Sequence, residues 1–264
     1  MRGKLLILIA VLLYGLNQTS IAQAPNKEKT TIKVLSFNIL HGATMKNDFN
    51  LDRLAQVIID ADPDLVAMQE VDFKTNRAKK YDLVTELGWR TKMVPIFAKA
   101  MSYDDGEYGE GILSKKSLIS SRNVALPYSK GHEPRAAVEV TIALNNNDTI
   151  SFVGTHLDHE EGVDRDNQAI KINEAFANNK YPTILAGDLN ATPESSTIKI
   201  LEKVWKPSYG NNPEPTYPSS NPRIKIDYVM FTPMNRWTVI DTEVIRDTVA
   251  TDHCVYLVTL QLNY

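Results

Sequence analysis

Short apolar runs that end in a carboxylate or an amide recur along this chain and constrain its fold more than any other feature. The stretch TILAGDLNATPES, Thr183 to Ser195, is the clearest case: an apolar run fit for a buried strand reaches Gly187, then presents Asp188 and Asn190 ahead of a helix-opening Pro-Glu-Ser. Strand interiors favour apolar and β-branched side chains, and an unpaired carboxylate is costly to bury. An acid at a strand mouth must therefore meet water, a partner or a metal. TIKVLSFNIL reads the same way, with Ile32, Val34 and Ser36 alternating against Lys33, Leu35 and Phe37 before Asn38, and DLVAMQEVD runs into Glu70.

Helical spacing separates these runs. Leu51, Leu54, Ala55 and Ile58 follow Asn50 as a capping residue, Leu83, Val84 and Leu87 suggest a short helix closed by Gly88, and Ala169, Ile172 and Phe176 mark a third. The middle is rich in strands: GILS, LISSRNVAL, RAAVEVTIAL and TISFVGTHL, the last two joined as a hairpin through the turn NNND at 145–148. Near the C-terminus PSSNPRIKIDYVMF, WTVIDTEVI and CVYLVTLQL add strands. Many strands with a few interspersed helices imply an α/β arrangement of two sheets packed face to face with helices outside. No internal repeat is visible in the residues.

With 264 residues, 43% of them hydrophobic, and no composition break, one domain is expected over residues 23–264. Residues 1–22 read as a signal peptide: Arg2 and Lys4 precede the apolar run Leu5 to Leu13, and SIAQA offers cleavage after Ala22 or Ala24. A secreted or periplasmic protein is expected, with no stable membrane span, because Tyr14, Gly15, Asn17 and Gln18 interrupt the run. The single cysteine, Cys254, allows no internal disulfide and reads as a small buried hydrophobe. Removal of residues 1–22 takes away Arg2 and Lys4 and no acid, so 29 basic against 32 acidic side chains become 27 against 32. That acidic balance lacks the basic surface on which tight nucleic-acid binding usually rests.

The strand ends form a set: Asn38, Glu70, His156, Asp188 with Asn190, Asp227, and Asp252 with His253. Converged on one rim of a two-sheet sandwich, they make a pocket of carboxylate, amide and imidazole groups. Such oxygens suit Mg²⁺ or Mn²⁺ better than zinc, since thiolates are missing.

SFNILHG, PDLVAMQEVD, GILSK, EPRAAVEV, GTHLDH, AGDLNATPES, KIDYVMF and TDHCVYLVTL resemble, in order, the successive signatures of the endonuclease/exonuclease/phosphatase superfamily. They span residues 36 to 260. HG after Asn38, VDFKTNR after Glu70 and HLDHEEGVDRDNQA are similar to a secreted bacterial subgroup. The resemblance implies a four-layer α/β sandwich with two central, mostly antiparallel sheets flanked by helices, acting as a monomer on a phosphate ester. It assigns Glu70 as the principal metal carboxylate with Asn38 beside it, and Asp252 as a further metal ligand. Asp188 and Asn190 would flank the attacked phosphate, Asp188 activating the water; His253 would bond the phosphate with its ring set by Asp227, and His156 would bind a phosphate oxygen or assist the leaving group. Arg135 resembles a phosphate-contacting arginine, and Tyr108 stands near a tyrosine that approaches the phosphate. Glu110 departs from the family pattern, and a charged acid there would repel a phosphate unless it binds a cation or a substrate hydroxyl.

Other residues carry weaker expectations. His41, Asp158 and His159 divide between pocket wall and solvated loop. Arg165 and Gln168 open a helix, where they cap, pair with acids or reach the site. Tyr103, Tyr108, Trp89 and Trp205 can stack a base or sugar or pack a rim, and the loop NNPEPTYPSS is placed beside the substrate by its nearness to KIDYVMF. The reading is a secreted, metal-dependent phosphoesterase. Its alternatives are a nuclease acting on DNA or RNA, a non-catalytic binding module on the same scaffold, and a calcium-binding structural domain, for which no repeated Asp spacing is seen.

Overall fold

The protein is described by a computed structural model covering residues 29–144, 148–160 and 162–264. The signal-peptide reading lies outside the described residues, as does most of the NNND turn. β1 (Thr30–Asn38) and β2 (Leu65–Phe73) pair in parallel around α1 (Leu51–Ala61), whose cap is Asn50: its side chain accepts from the Arg53 amide at 3.0 Å. α2 (Leu83–Thr91), β3 (Val94–Tyr103), β4 (Gly106–Ser114) and β5 (Ser117–Ala125) follow. β6 (Ala136–Ala143) and β7 (Thr149–His156) form the expected hairpin, then α3 (Val163–Phe176) carries the chain to β8 (Thr183–Asp188), parallel to β7. α4 (Ser196–Leu201), β9 (Lys206–Pro207), β10 (Asp227–Thr232), β11 (Trp237–Ile245) and β12 (Val255–Leu262) complete it.

Two six-stranded sheets result, ordered β11-β12-β1-β2-β4-β3 and β5-β6-β7-β8-β10-β9. Each contains one parallel pair, β1/β2 or β7/β8, and is otherwise antiparallel. The two orders follow one plan, each built around a βαβ unit, although the residues show no repeat. Val34, Leu65, Ile112, Val138, Phe152, Ala186 and Val229 fill the layer between the sheets. α1 and α2 cover the first sheet through Leu54, Ile58, Val84 and Leu87, and α3 and α4 cover the second through Ile172, Phe176, Ile198 and Leu201. This is the four-layer α/β sandwich with mostly antiparallel sheets.

Two local readings change. Gly88 does not close α2; the helix runs on to Thr91, and Lys92, at φ 58°, takes the left-handed closing position. Gly88 serves instead as a contact point, since a Cβ there would lie 2.8 Å from the Met93 carbonyl oxygen. β3, VPIFAKAMSY, has no clean alternation and went unread as a strand. It is an edge strand held by β4, with a register shift between Lys99 and Met101.

The loop between β5 and β6 is tied to the β7–α3 connection by His132. Its Nδ1 lies 2.9 Å from Asp158 Oδ2 and 3.1 Å from Asp164 Oδ2, and its Nε2 lies 3.5 Å from Glu160 Oε2. Asp158 is thereby a buried loop anchor and not a pocket wall. The hydrogen bond to Asp158, aided by the charges of Glu160, Asp158 and Asp164, raises the His132 pKa above the ordinary histidine value.

A Cβ on Gly187 would come 1.9 Å from the Thr155 carbonyl oxygen of the neighbouring strand. Gly187→Ala is expected to destabilise the fold by about 3 kcal/mol or more, seen as a lower denaturation midpoint; an unchanged midpoint would refute the contact. Because folding favours protonated His132, its contribution is complete below the unfolded-state value of about 6.5 and fades as pH rises through the higher folded-state value. The Tm gap between wild type and His132→Gln should thus be widest near pH 6 and narrow toward alkaline pH. A gap independent of pH would show that the ring acts only by packing.

Candidate active site

Both parallel pairs end at one rim, and the antiparallel strand β10 begins there. Register sets Asn38 beside Gln69, His156 beside Asp188, and Asp188 beside Asp227. Across the two sheets, Asn38 Nδ2 donates to Glu70 Oε1 at 3.1 Å and to Asp188 Oδ2 at 3.4 Å. All ten residues singled out from the strand ends and their flanks meet here, in or directly beneath a pocket of about 600 Å³.

Glu70 reaches the rim through a β-bulge. Met68 opposes Gly111 and Val71 opposes Gly109, so Gln69 and Glu70 together face the single residue Glu110. Met68 and Val71 both point to the helix layer, which makes Glu70 the inserted residue, and its φ of 57° turns the carboxylate into the pocket. Positive φ recurs at Leu40, His41 and Asn190, the other loop residues of the rim. Burial pushes the Glu70 carboxyl upward, but hydrogen bonds from His41 and Asn38 outweigh it and hold the group below its ordinary pKa. Glu70 is therefore anionic. Asn38 turns its nitrogen to Glu70, while its Oδ1 accepts from the Leu40 amide at 3.1 Å. In this orientation it positions Glu70.

His253 is fixed between two buried carboxylates. Its Nδ1 lies 3.2 and 3.1 Å from the two Asp227 oxygens, and its Nε2 lies 3.5 Å from Asp188 Oδ2. Burial opposes the imidazolium, yet the Asp227 and Asp188 charges prevail and raise its pKa. Burial also raises Asp188. The charges of the two groups act on one another, and the flanking Asp227 favours the imidazolium form of His253. Asp188 Oδ1 accepts from the Asn190 amide at 2.9 Å, which sets the carboxylate plane.

His156 takes the opposite state. Burial, then the nearby Arg135 charge, push its pKa well below the usual value, so the ring is neutral. Arg135 Nη1 donates to Nδ1 at 2.9 Å, which leaves the single ring proton on Nε2, 3.5 Å from Asp188 Oδ2. Asn190 Nδ2 lies 3.0 Å from the same nitrogen and donates to the Leu157 carbonyl at 3.0 Å. Arg135 also donates to Tyr108 Oη at 3.4 Å and pairs with Glu133 at 3.1 Å.

Glu110 does not act as the repelling acid its sequence position suggested. It is fully buried between the sheets, neither oxygen has a hydrogen-bond partner among the described residues, and burial pushes its pKa well above the carboxylate range. The neutral acid is the favoured form. Gln168 bonds the Asp158 amide and the Pro127 carbonyl and is structural. Trp205 lies in the core, and Trp89 stands exposed on α2 away from the pocket.

His41, His159, Arg165 and Tyr103 do line the pocket, as do residues to which the sequence assigns no individual role. Arg77 is one. Its guanidinium grips Asp72 at 2.7 and 2.8 Å and lies 4.5 Å from the Tyr103 ring centroid. Tyr217 is another, with its ring 4.8 Å from that of His253. The placement of the NNPEPTYPSS loop beside the site, read from sequence, is what brings Tyr217 there.

Among solved structures, the fold is shared with an endonuclease/exonuclease/phosphatase from Beutenbergia cavernae, 21% identical over 88% of this chain and 72% of that one, TM-score 0.74. It is also shared with one from Bacteroides vulgatus, 22% identical over 89% and 100%, TM-score 0.72. A Bacteroides thetaiotaomicron mannosyl-6-phosphatase is similar at 18% identity over 87% and 99%, TM-score 0.68. At such identities the likeness concerns the fold. Residues 35–253 match the model of the Endonuclease/Exonuclease/phosphatase family, from the end of β1 to the histidine paired with Asp227, and the chain belongs to that family of phosphate-ester hydrolases.

Proposed function

We propose that the protein is a secreted, divalent-metal-dependent phosphoesterase that hydrolyses a phosphate mono- or diester by in-line attack of an activated water. The observation that carries the reading is the Asp227, His253, Asp188 alignment beside the anionic Glu70 in one pocket. Phosphoryl transfer needs an oriented water, neutralised non-bridging oxygens and support for the leaving oxygen. Asp188, its Oδ1 fixed by the Asn190 amide, orients and deprotonates the water. The His253 imidazolium donates to the phosphate, and Asp227 holds its ring. His156 Nε2–H and Arg135 stand on the far side of Asp188, placed for a non-bridging or leaving oxygen, with Tyr108 supporting Arg135.

The donor set fits a hard cation. Glu70 is anionic and lines the pocket with Asp252, and both offer carboxylate oxygens. Asp188, Asp227 and His253 also lie close enough together to surround an ion. The imidazolium already offsets one of their two negative charges and repels a cation, which makes that trio the weaker choice. Bound at Glu70 and Asp252, Mg²⁺ or Mn²⁺ would supply Lewis-acid neutralisation of the phosphate oxygens.

The acidic balance of residues 23–264 supports a small or lipid-linked ester over nucleic acid. The deciding experiment is a metal-supplemented screen of the protein against p-nitrophenyl phosphate, bis-p-nitrophenyl phosphate, sphingomyelin, RNA and plasmid DNA. Turnover of the small esters with a shallow salt dependence is expected. Plasmid degradation that falls by decades between low and physiological salt would replace this substrate reading with the nuclease alternative. No turnover of any ester would leave the non-catalytic module.

Activity is expected to vanish on chelation and return with Mg²⁺ or Mn²⁺, and Glu70→Gln should raise the metal concentration needed for half-maximal rate. Full activity after exhaustive chelation would end the metal reading. Asp188→Asn and His253→Ala should each lower kcat by about 10²–10⁴ with the melting transition retained. Their double mutant should lose less than the two effects combined, because both act on one charge-coupled pair; wild-type rates in either single variant would remove that residue from the mechanism.

A further inference from the structure

Arg165 has no counter-charge among the described residues. It sits in the first turn of α3, is 8% exposed, and lines the pocket. Nη1 donates to the Asn190 carbonyl, and the buried Nε has no partner. The neighbouring acids are engaged elsewhere: Asp164 holds Ser129 and His132, while Asp166 accepts from Ser196 and Thr197. The other pocket arginines differ, Arg77 being paired with Asp72 and Arg135 with Glu133. A nearly buried guanidinium without a carboxylate costs several kcal/mol relative to a compensated one, and the pocket is where compensation can arrive.

The position separates this charge from the reacting phosphate. Arg135 lies on the Tyr108 side of His156, and Arg165 lies on the far side, behind Asn190. His159 and Thr192 line the same pocket and add hydrogen-bonding groups. We propose that Arg165 is the centre of a second anion subsite, and that the substrate is a phosphate ester bearing another anionic group, a carboxylate or a second phosphoryl, beside the scissile phosphate. This rests on the phosphoesterase reading and adds the substrate class. Planar bidentate recognition of either oxyanion suits arginine better than lysine.

The test is binding without turnover, by titration calorimetry of the full chain in EDTA. Ethyl phosphate is compared with 2-phosphoglycolate, and methylphosphonate with methylenediphosphonate; the pair with the larger ratio tells carboxylate from second phosphoryl. Wild type is expected to bind the dianionic-group ligand of at least one pair about tenfold more tightly than its partner. Arg165→Gln should bring that ratio to about one, and Arg165→Lys, which keeps the charge and guards against loss of the Asn190 contact, should leave it between the two. Circular dichroism melts establish that each variant is folded. Wild-type ratios near one in both pairs, a ratio that Arg165→Gln leaves unchanged, or absence of binding at millimolar ligand would overturn the subsite. Failure of the hydrolysis screen with the ratio intact would remove the catalytic reading and leave the subsite standing.

Discussion

The layer between the two sheets changes character along its length, and the site depends on that change. Inward-facing positions alternate along the central strands, and toward one rim they turn from apolar to polar: Ile32 and Val34 give way to Ser36 and Asn38, Leu65 and Ala67 to Gln69, Ala186 to Asp188, and Val229 to Asp227. The apolar part locks the sheets face to face. The polar part is thereby carried into the interior, where water is scarce and each hydrogen bond or charge weighs more.

That transition explains the contrasting protonation states within one pocket. His253, between Asp227 and Asp188, gains more from two carboxylates than it loses by burial, whereas His156, beside Arg135, loses on both counts. Two histidines that both lie beside Asp188 are thus assigned different charge states by their neighbours, one cationic and one neutral. Glu70 and Glu110 divide similarly. The bulge delivers Glu70 to donors at His41 and Asn38, and Glu110, one strand away, meets none. Ser36, Gln69 and Glu110 leave buried polar atoms unpartnered beneath the pocket, a cost borne at the site rather than in the framework.

Much of this was legible in the chain. Apolar runs ending in Asn38, Glu70, His156 and Asp188 marked strands and rim together, because a strand long enough to cross a core has few places to put an acid. The cap and period of α1 and the period of α3 were equally readable. The extent of α2 and the existence of β3 were not. Gly88 looks like a helix stop until Met93 and Pro95 are seen packed against it, and β3 is an edge strand whose side chains obey no simple alternation.

The sequence by itself determined the fold class, the order of elements, the family and the identity of the groups gathered at the rim, since local period and residue chemistry are written in neighbouring positions. Tertiary structure alone decided how those groups are used. That Asn38 turns its nitrogen to Glu70, that Glu110 favours the neutral form, that Asp158 anchors His132, and that Arg165 lacks a counter-charge among the described residues all depend on partners far away in the chain. Burial and pairing are properties of the space between elements, and no single segment contains them.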